Sequence, residues 1–155
     1  MPLHDVLTLI IGAVGVGVAA TSAVKALIEY RLQGAAKRSE VFLQMRSRLR
    51  SDASFSKICG MLEADSPQLA EVSLIERDRF IGFFEELAIL KNSGLLKKTL
   101  VFYMFGYFAI RCNESTQFWA GLNRKQQLWS LFMDFAKEMK ETEKTFVFNK
   151  RRFKL

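Results

Sequence analysis

The side chains that most often carry enzyme chemistry are scarce in this 155-residue chain. It contains one histidine, His4, and two cysteines, Cys59 and Cys112, which are far apart in the sequence and lie in apolar surroundings. His4 precedes a long apolar stretch that is expected to cross a membrane, so it is expected on the side opposite the rest of the chain, where it cannot activate a serine or cysteine nucleophile. Two distant cysteines do not form a zinc site. We therefore expect no enzymatic activity, no metal and no cofactor.

The carboxylates and the glycines add no catalytic motif. Glu85 and Glu86 are adjacent, and successive residues of a helix are turned by about 100°, so these two carboxylates cannot converge on one bond of a substrate. The sequence has no GxxxxGK[ST] phosphate loop, and no GxGxxG follows a strand. Gly12, Gly15 and Gly17 lie in an apolar stretch, where helix packing accounts for them.

Basic side chains are the groups that could bind a ligand, because the chain carries a net charge of +7. One basic group follows the apolar face of a predicted amphipathic helix over residues 37–50. A second alternates with phenylalanines in the tail of residues 145–155, TFVFNKRRFKL. Such groups bind lipid headgroups or single-stranded nucleic acid, and they are also common as solvated faces and disordered ends. Both interpretations stay open, and the candidate anion- or oligonucleotide-binding residues are Arg46, Arg48, Arg50, Lys150, Arg151 and Arg152.

A long apolar stretch precedes these basic groups. Residues 6–24, VLTLIIGAVGVGVAATSAV, contain no charge, no proline and no aromatic residue. With a rise of about 1.5 Å per residue, they are long enough to cross a hydrocarbon core of roughly 30 Å as one helix. The stretch therefore predicts a transmembrane helix. A cleaved signal peptide is the alternative, but MPLHD contains no lysine or arginine and the stretch is long for a signal sequence, which favours a retained anchor.

One side of this predicted helix is lined by small or weakly polar residues. Alternating steps of four and three residues from Thr8 meet only such residues, and the same steps reach a carboxylate at each end. Two interpretations compete: close packing of helix backbones, and a pore with carboxylate rings at its mouths. Both need several copies of the chain, so we expect a homo-oligomer. This small-residue lane consists of Asp5, Thr8, Gly12, Gly15, Ala19, Ser22, Ala26 and Glu29.

The charges beside the span predict its orientation. The N-terminal flank has no lysine or arginine, whereas basic residues follow the span from Lys25 onwards. The positive-inside rule places the N-terminus outside and the rest of the chain in the cytoplasm.

The rest of the chain predicts an all-α fold. We expect three parts: residues 1–33 as the transmembrane helix and its extension, 34–144 as a cytoplasmic helical bundle, and 145–155 as a basic aromatic tail. Gly34 is the first expected break, Ser66-Pro67 is a helix start signal, and Gly94 is an expected C-cap. The apolar run 99–110 is too short to span a bilayer and predicts a core helix, with an interfacial or re-entrant segment as the alternative. Helices are expected over 37–50, 52–62, 68–93 (bent near Ser73), 99–110 and 124–144.

The middle of the chain resembles a family of small bacterial membrane proteins. The matching residues lie within 80–108 and include FFEELAILKNSGLL at 83–96 and FYMFGYF at 102–108. Members of that family have one N-terminal membrane helix and a cytoplasmic helical domain, and they look like membrane effectors of anti-phage loci, one candidate being the Hailong type. In that type, a nucleotidyltransferase partner makes short deoxyadenylate strands that restrain an oligomeric membrane channel. The resemblance supplies no catalytic residue.

These features lead to one functional hypothesis and one alternative. The hypothesis is a homo-oligomeric, single-pass effector of the bacterial inner membrane that forms a channel or depolarises the membrane in anti-phage defence. Its expected partners are further copies of itself and the lipid bilayer, with a nucleotide or a short single-stranded nucleic acid as the controlling signal. The alternative is a non-conducting, membrane-tethered scaffold that recruits a soluble partner protein.

Overall fold

The computed structural model describes the backbone of residues 3–125 and 127–149, and the side chains of 21–125 and 127–149. Within these ranges the secondary structure is entirely helical, and no strand occurs. This confirms the predicted all-α class. The alternating pattern of the tail would permit a short strand, but residues 146–149 have no regular secondary structure.

Six α-helices are joined by shorter helical segments in the described part of the chain. A 3-10 turn precedes α3, a π-helical segment separates α4 from α5, and another 3-10 turn precedes α6. In chain order the elements are α1 (Leu3–Ser51), α2 (Ala53–Glu63), the first 3-10 turn (Pro67–Glu71), α3 (Leu74–Asn92), α4 (Lys98–Val101), the π-segment (Phe102–Gly106), α5 (Tyr107–Glu114), the second 3-10 turn (Gln127–Trp129) and α6 (Ser130–Thr145).

The chain divides into two compact units, Met1–Ser39 and Glu40–Leu155. In the first unit, the described side chains from Thr21 to Gln33 are all exposed. Helix α1 runs through Gly34, so the break predicted there is wrong. A glycine inside a helix costs only about 1 kcal/mol relative to alanine, which is too little to end a long helix.

The predicted membrane span is not tested by the described side chains. Among the residues that the structure describes fully, no helix combines the length and the apolarity that a membrane crossing needs. Most of the span, residues 6–20, lies outside the described side chains. The transmembrane helix therefore stays a prediction.

Side-chain caps mark the starts of α2 and α3 in the second unit. The Asp52 carboxylate accepts hydrogen bonds from the backbone N–H groups of Ser54 and Phe55, at 3.0 and 3.2 Å. The Ser73 hydroxyl accepts from the N–H of Glu76 at 3.2 Å and donates to its carboxylate at 2.8 Å. Because of this reciprocal cap, the helix predicted over 68–93 is instead a 3-10 turn followed by α3. Gly94 has a φ of +75°, as expected for a glycine that ends a helix.

Phenylalanine rings form the centre of the second unit. The predicted inner face of α3 is buried, and the rings of Phe80, Phe83 and Phe84 are completely inaccessible to solvent. Phe84 packs against Phe132 and Phe135 of α6, with ring centroids 5.9 and 6.2 Å apart. The core therefore joins α3 to α6.

Two further predictions about the core have different outcomes. The run 99–110 contributes buried residues including Val101, Phe105 and Ala109, which confirms its assignment to the core. In the helix predicted over 124–144, the spacing of Leu128, Phe132 and Phe135 places Leu128 on the inner face, but its side chain is 66% exposed. The helix begins only at Ser130, and the preceding 3-10 turn has a different periodicity, which buries Trp129 and leaves Leu128 outside.

Arg77 is a buried cation that holds a loop to α3. Its Nη1 donates to the carbonyl oxygens of Phe118 and Ala120 at 2.6 and 2.7 Å, and the residue is only 3% exposed. Replacing it with methionine would leave both carbonyls without this donor. We expect Arg77→Met to lower the free energy of unfolding by about 2–3 kcal/mol. Urea unfolding followed by far-UV circular dichroism would measure the change.

The neighbouring arginine on the same helix provides the control. Arg79 is exposed and pairs with Asp52 at 3.0 Å, an arrangement that contributes less than about 1 kcal/mol. Arg79→Met should therefore have the smaller effect. Equal losses for the two variants would contradict the structural role assigned to Arg77.

Glu138 of α6 forms ion pairs with lysines of α3 and α4. Its carboxylate accepts from Lys91 of α3 and, at 3.2 Å, from Lys98 of α4. Burial acts to raise the pKa of Glu138, but these hydrogen bonds outweigh burial and leave the pKa below its ordinary value. A depressed carboxylate pKa stabilises the fold above the ordinary pKa, and this stabilisation is lost as the pH falls through the folded-state pKa.

We therefore expect Glu138→Gln to reduce the stability gained between about pH 3 and about pH 7. Urea unfolding of both proteins at the two pH values would measure it. Glu141→Gln, at an exposed carboxylate of the same helix, should keep the wild-type pH dependence. An unchanged pH dependence in Glu138→Gln would contradict the prediction.

Candidate anion-binding site

The three arginines near the end of α1, Arg46, Arg48 and Arg50, do not all lie on the same side of the helix. Phe42, Met45 and Leu49 lie on the buried face of the helix. Arg46 and Arg50 are one turn apart and therefore share a side of α1, whereas Arg48 is rotated away from both. The predicted basic group thus divides into a pair and a single residue.

Arg48 makes intramolecular contacts with α3 and α2. Its Nη1 donates to Oε2 of Glu86 at 2.5 Å. The guanidinium carbon lies 5.8 Å from the ring centre of Phe55 and 5.7 Å from that of Phe83, within the range of cation–π interactions. These contacts occupy Arg48 within the fold, so the structure does not bring it together with Arg46 and Arg50.

Arg46 and Arg50 line a cavity of about 350 Å³. The cavity lies between the end of α1, helix α2 and the segment that contains the π-helical turn. Helix α2 contributes polar groups to its wall, and the segment of residues 104–108 contributes apolar ones. The lining side chains other than the two arginines are Leu49, Ser56, Cys59, Glu63, Met104, Phe105 and Phe108.

Cys59 lines this cavity, but its thiol is not activated. Burial, and next the carboxylate of Glu63, raise the pKa of Cys59 to about 12. Cys112 is fully buried, and burial raises its pKa well above the ordinary value. Because the thiolate is the reactive form, both cysteines stay protonated and unreactive near neutral pH.

The adjacent carboxylates of α3, Glu85 and Glu86, lie in different surroundings. Glu86 pairs with Arg48, as described above. Oε1 of Glu85 is buried without a hydrogen-bond partner among the described residues. Burial raises the pKa of Glu85. The two carboxylates therefore have different surroundings, and Glu86 alone of the two makes an ion pair within the described residues.

The small-residue lane is only partly within the described side chains. Ser22, Ala26 and Glu29 are exposed, and Glu29 lies 3.9 Å from Lys25 in an i,i+4 ion pair. The remaining lane residues lie outside the described side chains, namely Asp5, Thr8, Gly12, Gly15 and Ala19.

The tail is described only as far as Asn149. Phe146 packs against Phe102, with ring centroids 4.7 Å apart, and Phe148 lies 5.7 Å from Tyr103. Gly106 permits the position of Phe102, because a Cβ at residue 106 would lie 2.7 Å from Cδ2 of that ring. The predicted ligand-binding residues Lys150, Arg151 and Arg152 lie outside the described residues.

Sequence reasoning missed the cavity residues that come from α2 and from residues 104–108. Ser56, Cys59 and Glu63 carry no motif, and Phe108 belongs to an apolar run whose expected place was the core. Their only common signal is a shared cavity, which requires the tertiary structure. Within the fully described part of the chain, no group of histidine, cysteine and carboxylate side chains could hold a metal ion.

Comparison with known proteins gives no match. No protein-family model, no curated protein and no solved structure is similar to this chain.

Proposed function

We propose that this chain is a homo-oligomeric, single-pass effector of the bacterial inner membrane that conducts ions or otherwise depolarises the membrane. The observation that carries the proposal is the uncharged stretch 6–24 with its lane of small residues. Small residues let helices approach closely in lipid, and a weakly polar lane is compatible with water when several copies turn it inward. The proposed orientation has the N-terminus outside and Glu40–Leu155 in the cytoplasm, as the flanking charges indicate.

A role in anti-phage defence is the second part of the proposal. It depends on the resemblance of residues 80–108 to small bacterial membrane effectors, with the Hailong type as the candidate. In the structure, this region includes the buried rings Phe83, Phe84 and Phe105, so the resemblance concerns packing and not a reactive site. The proposed defence role therefore concerns an effector that acts through its membrane segment.

Control by an anionic signal is the third part. Arg46 and Arg50 line one cavity, and Lys150, Arg151 and Arg152 supply a second basic group. A nucleotide or short single-stranded nucleic acid could be held by contacts to its phosphates. Such binding should weaken steeply as salt is added, because each neutralised phosphate releases counterions.

Expression in a bacterial host with a membrane-potential dye tests the proposal. We expect the full-length chain to depolarise the inner membrane and to purify as an oligomer in a mild detergent. A monomer that leaves the potential unchanged would contradict the effector function.

A membrane-tethered scaffold is the second candidate function. It is favoured by adjacent apolar side chains at the start of α3, where Leu74 and Ile75 are 51% and 74% exposed. Such a surface could bind a soluble partner protein. A scaffold should integrate into the membrane without changing its potential, and replacing Ile75 with aspartate should release its partner.

A further inference from the structure

Within the described part of the chain, Arg46 and Arg50 lack the intramolecular partners that Arg48, Arg77 and Arg79 have. Arg48 pairs with Glu86, Arg79 pairs with Asp52, and Arg77 donates to two carbonyls. Arg46 and Arg50 make no ion pair within the described residues. A cation without an internal partner can use its full set of donors on a ligand.

Part of the cavity wall is apolar. Met104, Phe105 and Phe108 line it, and they come from the π-helical segment and the first turn of α5. Single π-helical turns are frequent at functional sites. Methionine adapts its shape to different apolar ligands, and a phenylalanine ring gives a flat contact surface.

Size and charge narrow the class of ligand. A volume of about 350 Å³ is at the lower end of the roughly 300–1,000 Å³ typical of ligand cavities. Two guanidiniums and the Glu63 carboxylate line the space, which gives the lining a formal charge of +1. A ligand with one negative charge balances this lining. A strand with several phosphates would bring further negative charge close to the Glu63 carboxylate, which would repel it.

We propose that this cavity binds one compact organic monoanion, whose acidic group accepts hydrogen bonds from Arg46 and Arg50 and whose apolar part packs against Met104 and Phe108. Carboxylates, sulfonates and phosphate diesters share this chemistry. The inference rests on the anion site of the proposed function but assigns it a small ligand with one charge in place of a nucleic-acid strand, and it requires neither membrane insertion nor conduction.

Equilibrium dialysis of 1-naphthaleneacetate against the full-length chain in a mild detergent tests the proposal, with empty micelles as the blank. The uncharged analogue 1-naphthaleneethanol has the same ring system and no acidic group. We expect the acid to bind about tenfold or more tightly than the alcohol, because hydrogen bonds to charged groups are the stronger ones. Equal binding of the two compounds would overturn the proposal.

Variants locate the bound compound. Arg46→Gln combined with Arg50→Gln should weaken binding of the acid by about tenfold or more. Lys57→Gln removes one exposed charge from α2 outside the cavity and should leave binding unchanged. Cys59→Met keeps every charge and fills part of the cavity, so it should also weaken binding. Far-UV circular dichroism would verify that each variant is folded.

The outcomes separate this inference from the proposed function. Unchanged binding in the double-arginine variant would overturn the cavity assignment. A deoxyadenylate strand that binds through Arg46 and Arg50, when the naphthalene acid does not, would overturn the monoanion in favour of a polymer. Binding of the acid by a chain that does not depolarise cells would support the cavity site and contradict the channel.

Discussion

Replacing Gly12 or Gly15 with leucine is expected to reduce the depolarising activity to the level of cells that carry an empty vector. Both glycines belong to the small-residue lane, along which the copies are proposed to meet. A leucine side chain on that lane would push apart helices that pack backbone to backbone, and it would fill a pore if the lane faced one. Both interpretations of the lane therefore predict the same loss. A membrane-potential dye in cells that express each variant would measure it.

Gly17 supplies a matched control for these two substitutions. It lies in the same apolar stretch, but two residues of helix turn it roughly 200° away from Gly15. Gly17→Leu adds the same side chain outside the lane and should reduce the activity less than the two lane variants do. Immunoblots of the membrane fraction would establish equal amounts of the three variants. If Gly17→Leu were as inactive as the lane variants, the lane would have no special role.

The helix boundaries that the sequence predicts well are those with a local side-chain signal. Asp52 caps α2, Ser66 precedes the proline of the first 3-10 turn, and Gly94 has the positive φ expected of a helix end. Each signal acts within three or four residues and does not depend on the rest of the fold. The separation of α3 from the 3-10 turn before it also has a local signal, because Ser73 and Glu76 form a reciprocal cap. The sequence analysis predicts only a bend at this position.

The features that the sequence did not predict depend on the local type of helix or on contacts between distant residues. The side on which Leu128 lies is set by the 3-10 turn before α6, and the apolar pattern alone could not distinguish the two helix types. Arg48 is separated from Arg46 and Arg50 because it forms a hydrogen bond with Glu86, which is 38 residues away in the sequence. The cavity likewise joins α1 and α2 to residues 104–108, and no spacing within one segment indicates such a grouping.

The buried rings of the second unit account for the apolar residues of the segment 83–96. Phe83 and Phe84 begin the stretch FFEELAILKNSGLL, and both are completely inaccessible to solvent. Phe84 lies 5.2 Å from Phe80 and 5.3 Å from Phe83 between ring centroids, in addition to its two contacts with α6. The first residues of this stretch therefore serve packing within the second unit. Packing of this kind does not by itself indicate a ligand, so the ligand has to be argued from the cavity.

Phe84→Ala is expected to lower the free energy of unfolding by about 3–5 kcal/mol, because it removes a ring from the centre of the core and leaves a cavity that neighbouring rings fill only in part. Typical domains are stable by about 5–15 kcal/mol, so this change removes a large fraction of the total. Urea unfolding of the full-length chain in a mild detergent, followed by far-UV circular dichroism, would measure it.

Phe84→Leu conserves more of the volume and should have a smaller effect. Ile75→Ala, at a side chain that is 74% exposed, should change stability by less than about 0.5 kcal/mol. A loss in Phe84→Ala no larger than that of Ile75→Ala would mean that the rings of α3 and α6 do not form the packed core of this protein.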